Sequence, residues 1–123
     1  MNTKNAEVFQ EIIEQIPVEK LDAITSENNI KIIDVRDPNG IETQGKIPGA
    51  INIPFDSIDR AIDKSHEDFN SIFDFEGSFL FCCTGGVMSY MAAIKAQKSG
   101  IKNVFNLEGG HSDWLKSKET NSN

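Results

Sequence analysis

Apolar positions along this chain recur with helical spacing in some stretches and in dense strand-like runs in others, and the switches between the two predict its elements. Over residues 5–16, Val8, Phe9, Ile12, Ile13 and Ile16 fall at helical spacing with Glu7, Glu11 and Glu14 between them. That pattern predicts an amphipathic helix, ended by Pro17. Val18, Leu21 and Ile24 mark a short helix over 18–24, and a polar loop follows. Ile30, Ile32, Ile33 and Val35 form a β-branched run typical of a buried parallel strand, which stops at Asp34-Val35-Arg36-Asp37-Pro38. Residues 45–54 read as a turn and a short strand over 50–53, flanked by Pro48 and Pro54. Phe55, Ile58 and Ile62 share one face of a helix over 55–62, whereas 64–74 carries Phe69, Ile72 and Phe73 in a helical pattern without readable ends. Residues 78–82 fit a buried strand. A helix over 89–98 with Ala92, Ala93 and Ala96 stops near Gly100, and 103–107 gives another strand. A turn at 108–110 then leads to a closing helix over 112–118 that packs Trp114 and Leu115.

Strands alternating with helices define an α/β fold with a central, mostly parallel sheet flanked by helices on both faces. In such folds, sites form beyond the carboxyl ends of the strands. The expected organisation is an N-terminal amphipathic helix at 1–17, one domain at 18–118 and a frayed tail at 119–123. At 123 residues, 38% hydrophobic and 25% charged, the chain suits a single ordinary globular domain.

The net charge of −7 opposes binding to nucleic acid, which depends on Lys and Arg meeting phosphates. No stretch approaches the roughly 18 apolar residues of a membrane span, and the N-terminus has no apolar signal core, so a cytoplasmic protein with no membrane partner is expected. Cys82 and Cys83 are the only cysteines and are adjacent, so they cannot staple distant parts of the chain, in keeping with a reducing compartment. His66 and His111 stand alone, each expected at the surface, and no metal or organic cofactor is implied.

Candidate chemistry lies in the segment Cys83-Thr84-Gly85-Gly86-Val87-Met88-Ser89, between the strand at 78–82 and the helix at 89–98. Such a strand-loop-helix turn aims successive amides and the positive end of a helix at one point, which suits an anion such as a thiolate. Taken alone, a cysteine followed by glycines is also what a tight turn beside a buried thiol looks like.

The order of motifs is more specific. Asp34-Val35-Arg36-Asp37-Pro38, Glu42, the segment Gly45 through Pro54, the cysteine loop, Asn106-Leu107-Glu108-Gly109-Gly110 and Trp114 together resemble the rhodanese-like family, from about residue 18 to 114. The resemblance implies a single rhodanese domain whose loop cysteine takes a sulfane sulfur as a persulfide and passes it on. Register matches that cysteine to Cys83, with Gly86, Met88 and Ser89 in the following motif positions. It also implies a persulfide cradle made of the amides of Thr84, Gly85, Gly86, Val87, Met88 and Ser89. The expected partners are a small sulfane-sulfur donor or a protein persulfide, and a thiol acceptor.

Met88 departs from the family pattern, standing where many members carry an arginine or a hydroxyl residue. Its lack of charge weakens the expectation of thiosulfate as donor, and it argues against the related phosphatases, which clamp phosphate with an arginine. The remaining residues leave alternatives open. Cys82 is a buried filler or a resolving thiol; Ser89 caps its helix or bonds the persulfide; Asp34 orients loop amides or caps its strand; Lys46 is a solvated turn residue or a distant positive charge. Arg36 is expected to pair with Glu42. Two functions remain: a sulfurtransferase or persulfide carrier, and a noncatalytic binding or redox-sensing module on the same fold.

Overall fold

In the computed structural model, which describes residues 12–27 and 29–121, five strands form one wholly parallel sheet. They are β1 (Glu14–Ile16), β2 (Ile30–Asp34), β3 (Ile51–Asn52), β4 (Ser78–Cys82) and β5 (Val104–Leu107), in the spatial order β1-β5-β4-β2-β3. The α-helices of the described residues are α1 (Leu21–Thr25), α2 (Pro38–Gln44), α3 (Ile58–Ala61), α4 (Val87–Lys98) and α5 (Gly110–Asn121), joined by short 3-10 turns.

Alternation along the strands builds a core on each face. In β4, Phe79 and Phe81 join Ile33, Val35, Ile58 and the α4 alanines, whereas Leu80 and Cys82 join Ile16, Ile32 and Leu107, with Trp114 of α5 against them. Phe79, Leu80 and Phe81 are fully buried. Each contributes about 1.5–3 kcal/mol relative to exposure. Ala92, Ala93 and Ala96 are also sealed from water, and their small side chains let α4 lie close to the sheet.

The helix expected over 5–16 is corrected where the structure describes it, since Glu14–Ile16 is an edge strand paired with Phe105, Asn106 and Leu107 of β5. Ile13 and Ile16 enter opposite cores, as odd spacing in an extended chain requires and a one-faced helix forbids. The rest of that expected helix, up to residue 11, lies outside the described residues. At the other end, α5 runs on to Asn121, past the expected stop at 118 and into the stretch expected to fray.

Helix α2 had no counterpart in the periodicity, because Ile41 is its only large apolar residue. Its signal is instead Asp37-Pro38: the Asp37 carboxylate accepts the Asn39 amide at 2.9 Å, and Pro38 occupies the first turn.

Candidate active site

The cysteine loop spans β4 and α4, and each of its ends is fixed by hydrogen bonds. From the first turn of α5, the His111 and Ser112 amides donate to the carbonyls of Cys83 (2.8 Å) and Thr84 (3.0 Å). With these carbonyls turned toward α5, the amides farther along the loop face inward. Those of Gly86 and Ser89 donate to Cys83 Sγ at 3.1 and 3.3 Å. Gly86 sits at φ +98°, and a Cβ there would lie 3.2 Å from Gly109 N and 3.3 Å from Leu107 O. Glycine is thus required both by the left-handed backbone and by the close approach of the β5-α5 turn.

The six expected cradle residues divide by role. Gly86 and Ser89 hold the sulfur, whereas Thr84, Gly85, Val87 and Met88 line a cavity of about 450 Å³ above it, opposite Arg36, Gly40 and Gln44. Cys83 lies in this cavity at 5% exposure, and the rim is apolar, with Val87 72% and Met88 45% exposed. A larger cleft, of about 550 Å³, opens at the far end of the sheet between Phe75, Gly77 and Ile101, well away from any thiol.

Ser89 and Cys82 take settled places. The Ser89 hydroxyl donates to Asn106 Oδ1 at 2.6 Å, so it neither caps α4 nor points its proton at the sulfur; its amide does the bonding. Cys82 faces the core opposite to that of Cys83, and burial pushes its thiol up, with the Asp34 carboxylate adding to the effect. A thiol kept protonated and turned away from its neighbour is a filler, not a partner for disulfide exchange.

Two expectations outside the loop are corrected. Arg36 pairs with Asp34, not Glu42: Nη2 lies 2.7 Å from Asp34 Oδ2, Nε 3.0 Å from Oδ1, and Nη2 also donates to the Gly45 carbonyl at 2.8 Å. Both side chains are buried, whereas α2 carries Glu42 into solvent. Asp34 therefore holds the arginine beside the cavity and also caps its own strand end, its Oδ1 accepting the Arg36 amide at 3.0 Å. His111, expected at the surface, is 1% exposed beneath the loop, its ring centroid 5.4 Å from that of Trp114. Burial lowers its pKa, the Arg36 guanidinium acts in the same direction, and Asp34 opposes both. Lys46 Nζ donates to the Ala50 carbonyl at 3.1 Å, as a turn residue would.

Asn106 and Gln15 were missed as site residues. Asn106 is fully buried in β5, and a polar side chain inside the apolar run Val-Phe-Asn-Leu was the available signal. Gln15 gave no signal, because its approach depends on β1 pairing with β5.

A parallel α/β sheet with a cysteine held by helix-terminal amides beyond the strand ends defines a class of α/β domains built around a cysteine loop. Within that class, this chain belongs to the rhodanese-like domain family, whose pattern it matches over residues 17–117. It is 32% identical over 101 residues to mouse thiosulfate sulfurtransferase/rhodanese-like domain-containing protein 3, aligning 78% of this chain with 64% of that protein's length. Human single-domain sulfurtransferase TSTD1 superposes with a TM-score of 0.71 at 23% identity, covering 83% of this chain and 95% of that one, which establishes the shared fold. A Rhodopseudomonas palustris protein of unknown function, described as a possible tyrosine phosphatase, superposes with a TM-score of 0.82 at 33% identity over 86% of this chain and 82% of that one. Among the described residues no helix is long and apolar enough to cross a membrane, and no three His, Cys, Asp or Glu side chains gather as metal ligands.

Proposed function

We propose that this protein is a sulfurtransferase in which Cys83 carries sulfane sulfur as a persulfide. The observation that carries this reading is the Cys83 sulfur accepting the Gly86 and Ser89 amides at the start of α4, on the floor of an open cavity. The Cys83 thiolate attacks the outer sulfur of a donor R–S–S⁻, forming a new S–S bond as the donor's S–S bond breaks and RS⁻ departs. The persulfide anion rests against the inward amides, which carry its charge as an oxyanion hole does. An acceptor thiolate then takes the outer sulfur, and Cys83 returns as thiolate, so no external oxidant or reductant is consumed.

The rim points to the donor class. Met88 brings no charge, Val87 and Met88 present apolar surface, and the Arg36 charge is already engaged by Asp34. An organic or protein-borne persulfide fits this cavity better than thiosulfate, although the mouse relative's name includes thiosulfate. The phosphatase description of the R. palustris protein transfers poorly, since phosphate needs a bidentate arginine over the loop. The chain's two arginines pair elsewhere, Arg36 with Asp34 and Arg60 with Asp68.

Intact-mass measurement after incubating reduced protein with a low-molecular-weight persulfide tests the reading. One added sulfur atom is expected in the natural chain and in Cys82→Ser, and none in Cys83→Ser. A folded protein that stays unmodified with persulfide and thiosulfate donors alike would instead leave the fold as a noncatalytic module.

A further inference from the structure

We propose that Asn106 is a positioning residue that sets the two amides of the sulfur cradle, tying the nucleophile on the β4-α4 loop to strand β5. The proposal rests on Cys83 being the working sulfur, but it concerns the resting thiol and is tested without sulfur transfer.

Hydrogen-bond direction fixes how Asn106 sits. The Gly86 carbonyl can only accept, and it lies 2.9 Å from the side-chain amide of Asn106, so the Nδ2 end must face it. The second Nδ2 hydrogen goes to Gln15 Oε1 at 2.8 Å. With both donors used, Oδ1 faces Ser89 and accepts its hydroxyl at 2.6 Å. Asn106 thus grips Gly86 by its carbonyl and Ser89 by its hydroxyl. These are the same two residues whose amides hold Cys83 Sγ at 3.1 and 3.3 Å.

The grip is made where water cannot replace it, because Asn106, Gly86 and Ser89 are all buried. Gly86 has no side chain to fix its left-handed backbone or to cap α4, and Ser89 is on the first turn of that helix. The β5 backbone is rigidly paired on both sides, with β4 and β1, and Asn106 carries that rigidity to the loop. Gln15 extends the same chain of bonds to the edge strand, so β1 supports the cradle through its side chain as well as through the sheet.

A purely structural asparagine would change stability and leave the sulfur's reactivity alone; a positioning residue changes how well the amides stabilise the thiolate. The pH profile of Cys83 alkylation by iodoacetamide separates the two, measured in a Cys82→Ser background so that one thiol is read. Asn106→Leu keeps the size and removes both grips. Its alkylation profile is expected to move to higher pH, with the rate at neutral pH falling roughly tenfold, the scale of one charge-assisted hydrogen bond. Ser89→Ala removes only the hydroxyl grip and is expected to shift the profile the same way by about half as much on a logarithmic scale, one of the two grips being lost. If Asn106→Leu does not fold, Ser89→Ala decides alone. An unchanged alkylation profile in the folded variants, whatever their urea midpoints, overturns the proposal. Because alkylation needs no donor or acceptor, this failure is distinct from failure to load sulfur.

Discussion

Asp34 and Arg36 form an ion pair sealed from water, with side-chain exposures of 0% and 4%. A buried pair is weak grounds for stability by itself, since desolvation offsets most of the attraction, but losing one partner strands the other charge. Asp34→Ala is therefore expected to lose about 3–5 kcal/mol in urea unfolding, and replacing both residues with apolar side chains should recover part of that loss. A double variant no more stable than Asp34→Ala would show that the two act independently. At this scale the sequence was legible where chemistry and backbone coincide: Cys83 stands out because glycines follow it and a helix begins there. Partners set by folding were not legible. Asp34 and Arg36 are two apart on a strand end, a spacing that does not show a long side chain turning back on its neighbour, and a lone His111 among polar residues looks like a surface residue until α5 packs it under the loop.

Between elements, the decisive contact is the turn from β5 into α5. Gly110 begins α5 at φ +63°, and a Cβ there would collide with the carbonyl oxygen of Cys83 and lie 2.7 Å from that of Thr84. Gly110→Ala must either displace the loop or unwind the first turn of α5. The left-handed backbone alone costs roughly 1–2 kcal/mol. Gly85, by contrast, has open space around its Cβ position and lies outside the left-handed region. Urea midpoints should fall clearly for Gly110→Ala and leave Gly85→Ala within about 0.5 kcal/mol of the natural chain. Equal losses at the two glycines would refute this assignment of the contact. Strong apolar runs predicted the elements well, β4 to the residue and α4 to within its first turn. Weak ones misled. Residues 14–16, the end of a stretch with helical spacing, are held as a strand by β5, a partner 91 residues away along the chain, as the bond from Asn106 to Gln15 shows. Helix α2 announces itself only through its cap. These two elements decide much of the site, since β1 supplies Gln15 and α2 supplies one wall of the cavity.

At the scale of the whole molecule, His111 is the histidine among the described residues whose burial ties the stability of the fold to pH near neutrality. His111 is buried with Arg36 nearby, and both effects hold its pKa below the ordinary 6.5. Above 6.5 the ring is neutral whether the chain is folded or not, so it contributes no pH dependence. As pH falls through 6.5 the unfolded chain takes up the proton first, and stability drops until the folded ring titrates as well. Every other titratable group is common to the natural chain and to a His111→Phe variant, so the comparison isolates His111. The urea midpoint of the natural protein is expected to fall between pH 7.5 and 5.5 by more than that of His111→Phe. The chain's single tryptophan, Trp114, lies against the His111 ring and reports the same transition by fluorescence. In the folded state any change in its emission should set in at lower pH than an open-chain histidine would give, because burial and the Arg36 guanidinium hold the imidazole pKa down. Parallel urea midpoints in the two proteins would show that His111 is not the group that couples acidity to unfolding, and that the buried centre beneath the cysteine loop titrates no differently from the open chain.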